Sequence, residues 1–558
     1  MRRRFLAFCI MVLFAATAWV GPADAQPKAK DELVIGITQY PTTLHPSIES
    51  MLAKTYVLDM TRRPFTAYDA HWTLVCMLCT ELPSIENGRA KIEELPDGKK
   101  GIAVTYTIQP EAKWGDGVPI TTKDVLFTYE FGKNPQSGVA NGELYRRITK
   151  IDVKDDKTFT MHFDKLTFDY AAINDFQVLP EHLERARFAD PAAYRTRNGY
   201  DTDTTNPGLY FGPYKVTEKA VGSYIVLERN PTWWGKAPYF RRIVIRVVEN
   251  TAALEANLLS GSIDYIAGEL GLSLDQALAF EKRHGNRFDI VYKPSLIYEH
   301  IDVNLDNPIL KDKRVRQALI IGIDREVINQ QLFGGRQPVA NTFVNPLDWV
   351  YDPDTAQYKR DEKKAAALLE EAGWTAKGKG TRVNAKGEPL VLELMTTAGN
   401  KNREQVQQVL QSQWRQLGID VRIRNEPARV FFGDTVTRRK FPAMAMFAWF
   451  SAPENVPRTT LHSAEIPTQE NNFAGQNYTG YRNPEVDKLI DAIEVELDRD
   501  KRKLLWDKLQ AIYADELPAL PLFFRADPYI MPKWLKGIEP TGHQDISPLW
   551  VENWHVAP

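Results

Sequence analysis

Cysteine is scarce in this chain of 558 residues: there are three, and one of them, Cys9, lies in an N-terminal apolar run. That excludes a disulfide-dense scaffold, and a zinc ribbon would need a second C-x-x-C or a pair of histidines that the chain does not have. The nine histidines are scattered with no H-x-x-x-H pair, so a bare transition-metal site has little to build on. No G-x-S-x-G elbow and no H-E-x-x-H helix occurs, and Ser451 stands too loosely against His462 to make a hydrolase pair. Neither sign of charge dominates: 70 basic residues face 72 acidic ones, which argues against a nucleic-acid protein. After residue 25 no apolar run approaches the ~20 residues that span a bilayer. Internal repeats and low-complexity tracts are missing too.

What is present starts with a secretion signal. Arg2, Arg3 and Arg4 precede the uncharged run Phe5 to Val20, and Ala23-Asp24-Ala25 fits an A-x-A cleavage site. The pattern predicts a cleaved signal over 1–25 and a soluble periplasmic protein beginning at Gln26. Cys9 sits inside the apolar run and not after a lipobox, so no lipid anchor is expected. Losing residues 1–25 removes three Arg and one Asp and leaves 67 basic against 71 acidic residues. The mature chain keeps Cys76 and Cys79 in a C-x-x-C, and three readings stay open: a candidate disulfide, two inert buried thiols, or a redox or metal pair. The length predicts about three domains, and 13 Trp with 22 Tyr supply rings for cores and pockets alike.

Periodicity and punctuation predict the elements. Leu33 to Ile37 reads as the first strand, followed by a loop through Tyr40 and His45. Val104 to Ile108 and Thr158 to Phe163 alternate as strands, with a turn at Asp155-Asp156-Lys157. Trp114-Gly-Asp-Gly-Val-Pro-Ile-Thr-Thr-Lys-Asp-Val125 reads as a tight turn and then a helix from Thr122 to Phe131. Gly115 and Gly117 permit the turn, and Thr121 with Asp124 makes a capping box. Arg197 to Leu209 reads as a boundary loop. Val221 to Glu228, Ile243 to Val248 and Tyr298 to Asn304 read as strands, the last crossing between lobes. Helices are expected over Thr251 to Leu259, Val315 to Val327, Asp361 to Ala372, Glu404 to Leu417 and most of Pro484 to Leu517. In the last of these Leu489, Ile493, Leu504, Leu505, Leu509 and Ile512 are available for burial. Strand, helix, strand over 390–423 predicts a parallel pair.

Several strings carry a resemblance in order along residues 33 to 524. Trp114 to Val125 resembles the W-x-D-G-x-P-x-T-x-x-D-V signature of the peptide/nickel class of extracellular solute-binding proteins, family 5. Phe211-Gly-Pro-Tyr214 and Arg229-Asn-Pro-Thr-Trp-Trp-Gly-Lys-Ala-Pro238 resemble its G-P-Y and R-N-P-x-Y-W-G-x-x-P strings. Val315 to Arg325 resembles V-R-x-A-L-x-x-x-I-D-R, and the run that ends in Ala372-Gly-Trp374 resembles A-x-x-L-L-x-x-A-G-W. The resemblance implies an α/β, two-lobed periplasmic binding protein fold of type II, with mixed sheets flanked by helices. It implies lobe I from 26–60, 206–300 and 521–558, an inserted domain over 61–205, and lobe II over 301–520. It further implies a monomeric substrate-binding component of an ABC importer that closes over a peptide or peptide-like solute, delivers it to the permease with its ATPase, and uses no cofactor and no catalysis. The alternatives are a non-peptide solute (a sugar, an opine-like or a hydrophobic compound) and a periplasmic chaperone or signalling receptor.

The motif residues Trp114, Asp116, Trp234 and Asp324 read as turn, cap and core residues, so the ligand-binding candidates come from loops and crossovers. They are Tyr40, His45, Tyr298, His300, Trp449, Phe450, Ser451, Arg458 and Asn472, with Glu299 on the other face of the crossover strand. Peptide-binding members place an Asp after the strand that ends near Trp449. Here Ser451-Ala452-Pro453 stands in that place, and Glu454 is the candidate substitute for pairing with a peptide's ammonium.

Overall fold

The computed structural model describes residues 30–557 except 49–50, 97, 141, 379, 428–429 and 471–474. The signal expected over 1–25 and the candidate Asn472 lie outside the described residues.

One ten-stranded sheet runs through both lobes. Its strands are β1 (Glu32–Ile37), β2 (Tyr214–Ala220), β3 (Tyr224–Arg229), β4 (Arg242–Val247), β5 (Tyr265–Ile266), β6 (Phe288–Val303), β7 (Val391–Met395), β8 (Asp420–Ile423), β9 (Met444–Phe450) and β10 (Ala519–Pro532). They lie in the order β8-β7-β9-β6-β10-β5-β1-β4-β3-β2. β6 and β10 are long enough to belong to both lobes, and they pair antiparallel along their length. β1 runs parallel to β5, and β5 runs antiparallel to β10, while β7 runs parallel to β9, which is antiparallel to β6. The C-terminal ends of β1 and β7 therefore face each other across the gap between the lobes. In open α/β sheets that is where ligands bind.

Separate cores fill the parts. Leu33, Ile35 and Ile37 of β1 pack in lobe I with Tyr265 and Trp554. Val303, Leu319, Leu392 and Trp414 pack in lobe II. Val104, Tyr106, Phe159 and Met161 form the core of the inserted domain, over a four-stranded sheet of Ala90–Glu94, Lys100–Thr107, Thr158–Phe163 and Ile148–Val153. The two cysteines of the C-x-x-C are joined as a disulfide in this domain, with Cα atoms 5.3 Å apart.

The motif residues are structural. Trp114 is fully buried edge-on to Phe211, and Trp234 stacks on the other side of Phe211, so three separate strings meet around one ring. Gly117 takes φ +94°, whereas Gly115 is needed for a different reason: a Cβ there would lie 2.4 Å from the Pro207 carbonyl oxygen. Thr121 and Asp124 form the capping box.

Three expectations about elements need correction. Val221 sits in the turn between β2 and β3 and is largely exposed, so the strand begins only at Tyr224. The helix expected from Val315 to Val327 is two helices, Lys313–Ile321 and Arg325–Phe333, because Asp324 caps the second by accepting from the Val327 N–H. Pro484 to Leu517 is mostly helical as expected, as the two helices Pro484–Val495 and Arg499–Glu516, with Asp498 capping the second. Leu504 points outward from that helix and is exposed.

A buried ion triad ties lobe II to the crossover strands. Glu299 on β6 accepts from Arg403 Nε and Nη2, each at 3.1 Å, and from Arg525 Nε on β10 at 2.7 Å. Burial by itself would raise the Glu299 carboxyl, but the two guanidinium charges and their hydrogen bonds outweigh it and hold it at about 2. Burial pulls Arg403 below its ordinary value, while Glu299 raises Arg525 against the same burial cost. A carboxyl depressed from 4.5 to about 2 gives stability that is complete above pH 4.5 and fades as pH falls toward 2. In Glu299→Gln, chemical denaturation at pH 7 should lose about 3 kcal/mol, because buried Arg403 and partly exposed Arg525 lose their counter-charge. The variant should also show a flatter decline between pH 4.5 and 2. A variant with the wild-type acid profile would contradict this role.

Candidate functional site

Two cavities open where the lobes face each other. The larger, about 1350 Å³, is walled by the inserted domain at Tyr68, Arg147 and Phe168 and by lobe II at Phe450, Ser451 and Glu454. The smaller, about 710 Å³, lies on the face of the sheet that carries Glu299, with Arg403, Arg525 and Met446 in its wall and Thr38 and Gln39 after β1 at its rim.

Between them, among the described residues, β9 has an open edge. It pairs with β6 over its whole length, from Val303↔Met444 to Ile297↔Phe450, but with β7 only at Met444 and Ala445. Thr396 Oγ1 donates to the Met446 carbonyl at 2.7 Å, so that carbonyl points to the β7 side. Peptide groups alternate along a strand, so Ala448 and Phe450 also direct their N–H and C=O to that side. Among the described residues no backbone group meets them there. An open strand edge in a cleft is a template for an added extended chain.

Side chains on one face of this edge are aromatic. Trp449 stacks with Tyr478 at 5.7 Å and with His300 at 6.4 Å, and Phe447 stands edge-on to both His300 and Trp449. Tyr298 stacks on His300 at 4.9 Å, and its hydroxyl meets that of Tyr513 at 2.9 Å. His300 Nδ1 donates to the Tyr298 carbonyl. Its Nε2 lies 3.2 Å from Asp302 Oδ1 without meeting it at a hydrogen-bonding angle. Tyr298 and His300 are thus buried behind Trp449 as its support, and neither forms part of the open surface. Phe450 and Ser451 line the larger cavity, and Trp449, partly buried, precedes them in the chain.

Three other candidates are engaged by their own surroundings. Tyr40 is half-buried against the lobe I core, where burial raises its hydroxyl pKa. His45 is fully enclosed by Phe131, Tyr194 and Tyr200. Its Nδ1 accepts from the Ser47 and Ile48 N–H groups, so Nε2 carries the proton and meets the Tyr194 hydroxyl at 3.2 Å. Burial, and then the charges of Lys54 and Arg62, push its pKa well down, and it is a neutral turn-former instead of a ligand contact. Arg458 is at the larger cavity but committed: it donates to Glu494 at 2.9 Å and pairs with Asp491. Burial opposes its charge, yet these carboxylates raise its pKa, so it is not free to receive a solute carboxylate.

Glu454 fails as the substitute for the missing Asp for the same reason. Trp349 Nε1 donates to it at 3.0 Å and Arg502 pairs with it. Its neighbourhood forms instead a contact between the inserted domain and lobe II. The Phe168 N–H donates to the Glu494 carbonyl at 2.9 Å, Lys165 pairs with the Glu494 carboxylate, and the Arg502 guanidinium lies 4.3 Å above the Phe168 ring. Phe168 also packs against the lobe II cluster around Trp506 and Tyr513. Residues 165–168 thus form a clasp between the inserted domain and lobe II in the wall of the larger cavity. The sequence offered no sign of it, since Lys165 and Phe168 sit in an ordinary loop whose partners lie far along the chain.

Comparison with known proteins agrees with this architecture. The oligopeptide-binding protein AppA of Bacillus subtilis is 27% identical over 95% of this chain and 93% of its own length. The structure of that protein in complex with a nonapeptide superposes with a TM-score of 0.75, covering 95% of this chain and 100% of the other. The oligopeptide-binding protein of Thermus thermophilus, complexed with a pentapeptide, superposes with a TM-score of 0.77 at 31% identity, covering 94% of this chain and 96% of the other. The fold is that of the type II periplasmic binding proteins. The family described as bacterial extracellular solute-binding proteins, family 5, matches residues 91–467, and the chain belongs to that family of binding proteins.

Proposed function

We propose that this protein is the periplasmic substrate-binding component of an ABC importer that captures a peptide between its lobes and hands it to the permease. The observation that carries the reading is the open edge of β9 at Ala448 and Phe450, set in the cleft. It offers main-chain hydrogen bonds to an extended chain of any sequence, which suits a peptide better than a sugar or a metal chelate. The larger cavity, about 1350 Å³, exceeds the ~300–1,000 Å³ of ordinary small-molecule sites. The peptide complexes of the two relatives support it, and among the described residues no cluster of His, Cys, Asp and Glu could hold a metal ion. No chemistry on the peptide is part of this reading: capture needs only a ligand that touches both lobes and so favours the closed arrangement. Export through the N-terminal signal brings the chain to the periplasm. Among the described residues no helix is long and apolar enough to cross a membrane.

With Glu454 engaged by Arg502 and Trp349, the peptide's amino end is not what this site reads first. The main chain along β9 supplies the recognition common to all ligands, and the clasp at 165–168 retains them.

Two measurements test the reading. Gentle purification of the mature protein followed by native and denaturing mass spectrometry should reveal peptide masses that leave on denaturation. Bare protein that also ignores added peptides would overturn it. Phe168→Ala removes the ring that Arg502 covers and should speed peptide release about tenfold with little change in association. An unaltered dissociation rate would show that the clasp does not contribute to retention.

A further inference from the structure

The open edge of β9 is flanked by an aromatic wall that the main-chain reading does not use. Trp449 is the partly exposed member of a stack of rings that runs from Tyr298 through His300 and Trp449 to Tyr478. Beside it the single π-helical turn Phe431–Val436 brings two phenylalanines over the strand. Phe431 is fully buried, whereas Phe432 is 41% exposed and stands edge-on to Phe447 at 5.9 Å. Phe447, Phe431 and Tyr478 back the wall from inside. A π-turn is a costly way to place a side chain and concentrates at functional positions. Here it leaves one apolar ring exposed beside a strand whose edge, among the described residues, is unpaired beyond Ala445.

We propose that Trp449 and Phe432 form a side-chain subsite that selects a large apolar residue, aromatic or branched aliphatic, at one position of the bound peptide. The proposal rests on the peptide reading above and adds which residue the peptide carries. The geometry gives it a register. Trp449 pairs across from Tyr298, and Ala448 pairs across from Glu299, so the two faces of β9 differ completely. A chain laid along Ala448 and Phe450 turns successive side chains to opposite faces. Every second side chain meets the aromatic wall. The ones between meet the smaller cavity, whose wall holds Met446 and the Glu299, Arg403 and Arg525 triad. Covering Phe432 and Trp449 with an apolar side chain removes ring surface from water at no polar cost, whereas a charged side chain there would lose its hydration with no partner gained.

The test is a positional scan. Protein freed of co-purified ligand is titrated by calorimetry with penta-alanine and with the five peptides that carry a single Phe. Phe should tighten binding about tenfold at one position, or at two positions two apart, and not at the positions between. Phe432→Ala, a change at an exposed ring, should abolish that gain, and Phe432→Leu should keep part of it. Trp449→Ala should act in the same direction as Phe432→Ala. Equal gains at consecutive positions, no gain at any position, or a gain that Phe432→Ala leaves intact would overturn the subsite while peptide capture still stood. Failure of every peptide to bind would overturn the peptide reading as well.

Discussion

Everything about the cleft depends on two strands being shared. β6 and β10 run from lobe I into lobe II as an antiparallel pair, so one continuous sheet carries both halves of the molecule. The antiparallel pair sets the lobes so that strand ends confront each other, and it supplies the partner against which β9 is held while its other edge, among the described residues, is unpaired beyond Ala445. The Glu299 triad sits on this pair. It is an expensive arrangement, since three charges are withdrawn from water, and it persists because each has a geometrically matched partner. Its position where lobe II meets the crossover strands makes it the fixed point about which the rest is arranged.

The two faces of the sheet at the cleft have opposite chemistry, and the period of a strand is the cause. Tyr298, His300, Phe447 and Trp449 fall on one face as stacked rings, while Glu299 and Ala448 fall on the other beside two arginines. A shift of one residue in the pairing of β9 with β6 would exchange these faces. Buried aromatic contacts along the whole β6–β9 register therefore specify the site as well as the fold. The clasp at Lys165 and Phe168 adds a third contributor, so main chain from lobe II, rings from lobe II and a strap from the inserted domain meet at one place.

Much of the fold was legible because its signals are local. The capping box at Thr121 and Asp124, the turn glycine at Gly117 and the strand alternation of Thr158 to Phe163 each act within a few residues. The helix expected through Val327 was misjudged because Gly322-Ile323-Asp324 reads as either interior or cap. The packing that places Asp324 N–H against Gln413 comes from a distant helix. The site was harder to read. Trp449, Phe450 and Ser451 could be found from their place at the end of a strand. His45 and Arg458 looked alike as polar residues in loops, and only the enclosure of one and the carboxylate partners of the other remove them. Phe432 was missed because a Phe-Phe pair in a polar stretch gives no hint of a π-turn. The one available signal was its setting, a pair of rings in the connection leading into β9.

The account's central claim is that a peptide joins the sheet at β9, and amide hydrogen exchange reads this directly. With saturating peptide, the Ala448 and Phe450 amides should slow by about a hundredfold or more, because they gain main-chain partners and are closed off from water. The Phe447 and Trp449 amides, already turned toward β6, should change far less. Protection that appears only along the inserted domain, with Ala448 and Phe450 exchanging as they do without peptide, would contradict strand addition and return the cleft to an unassigned ligand geometry.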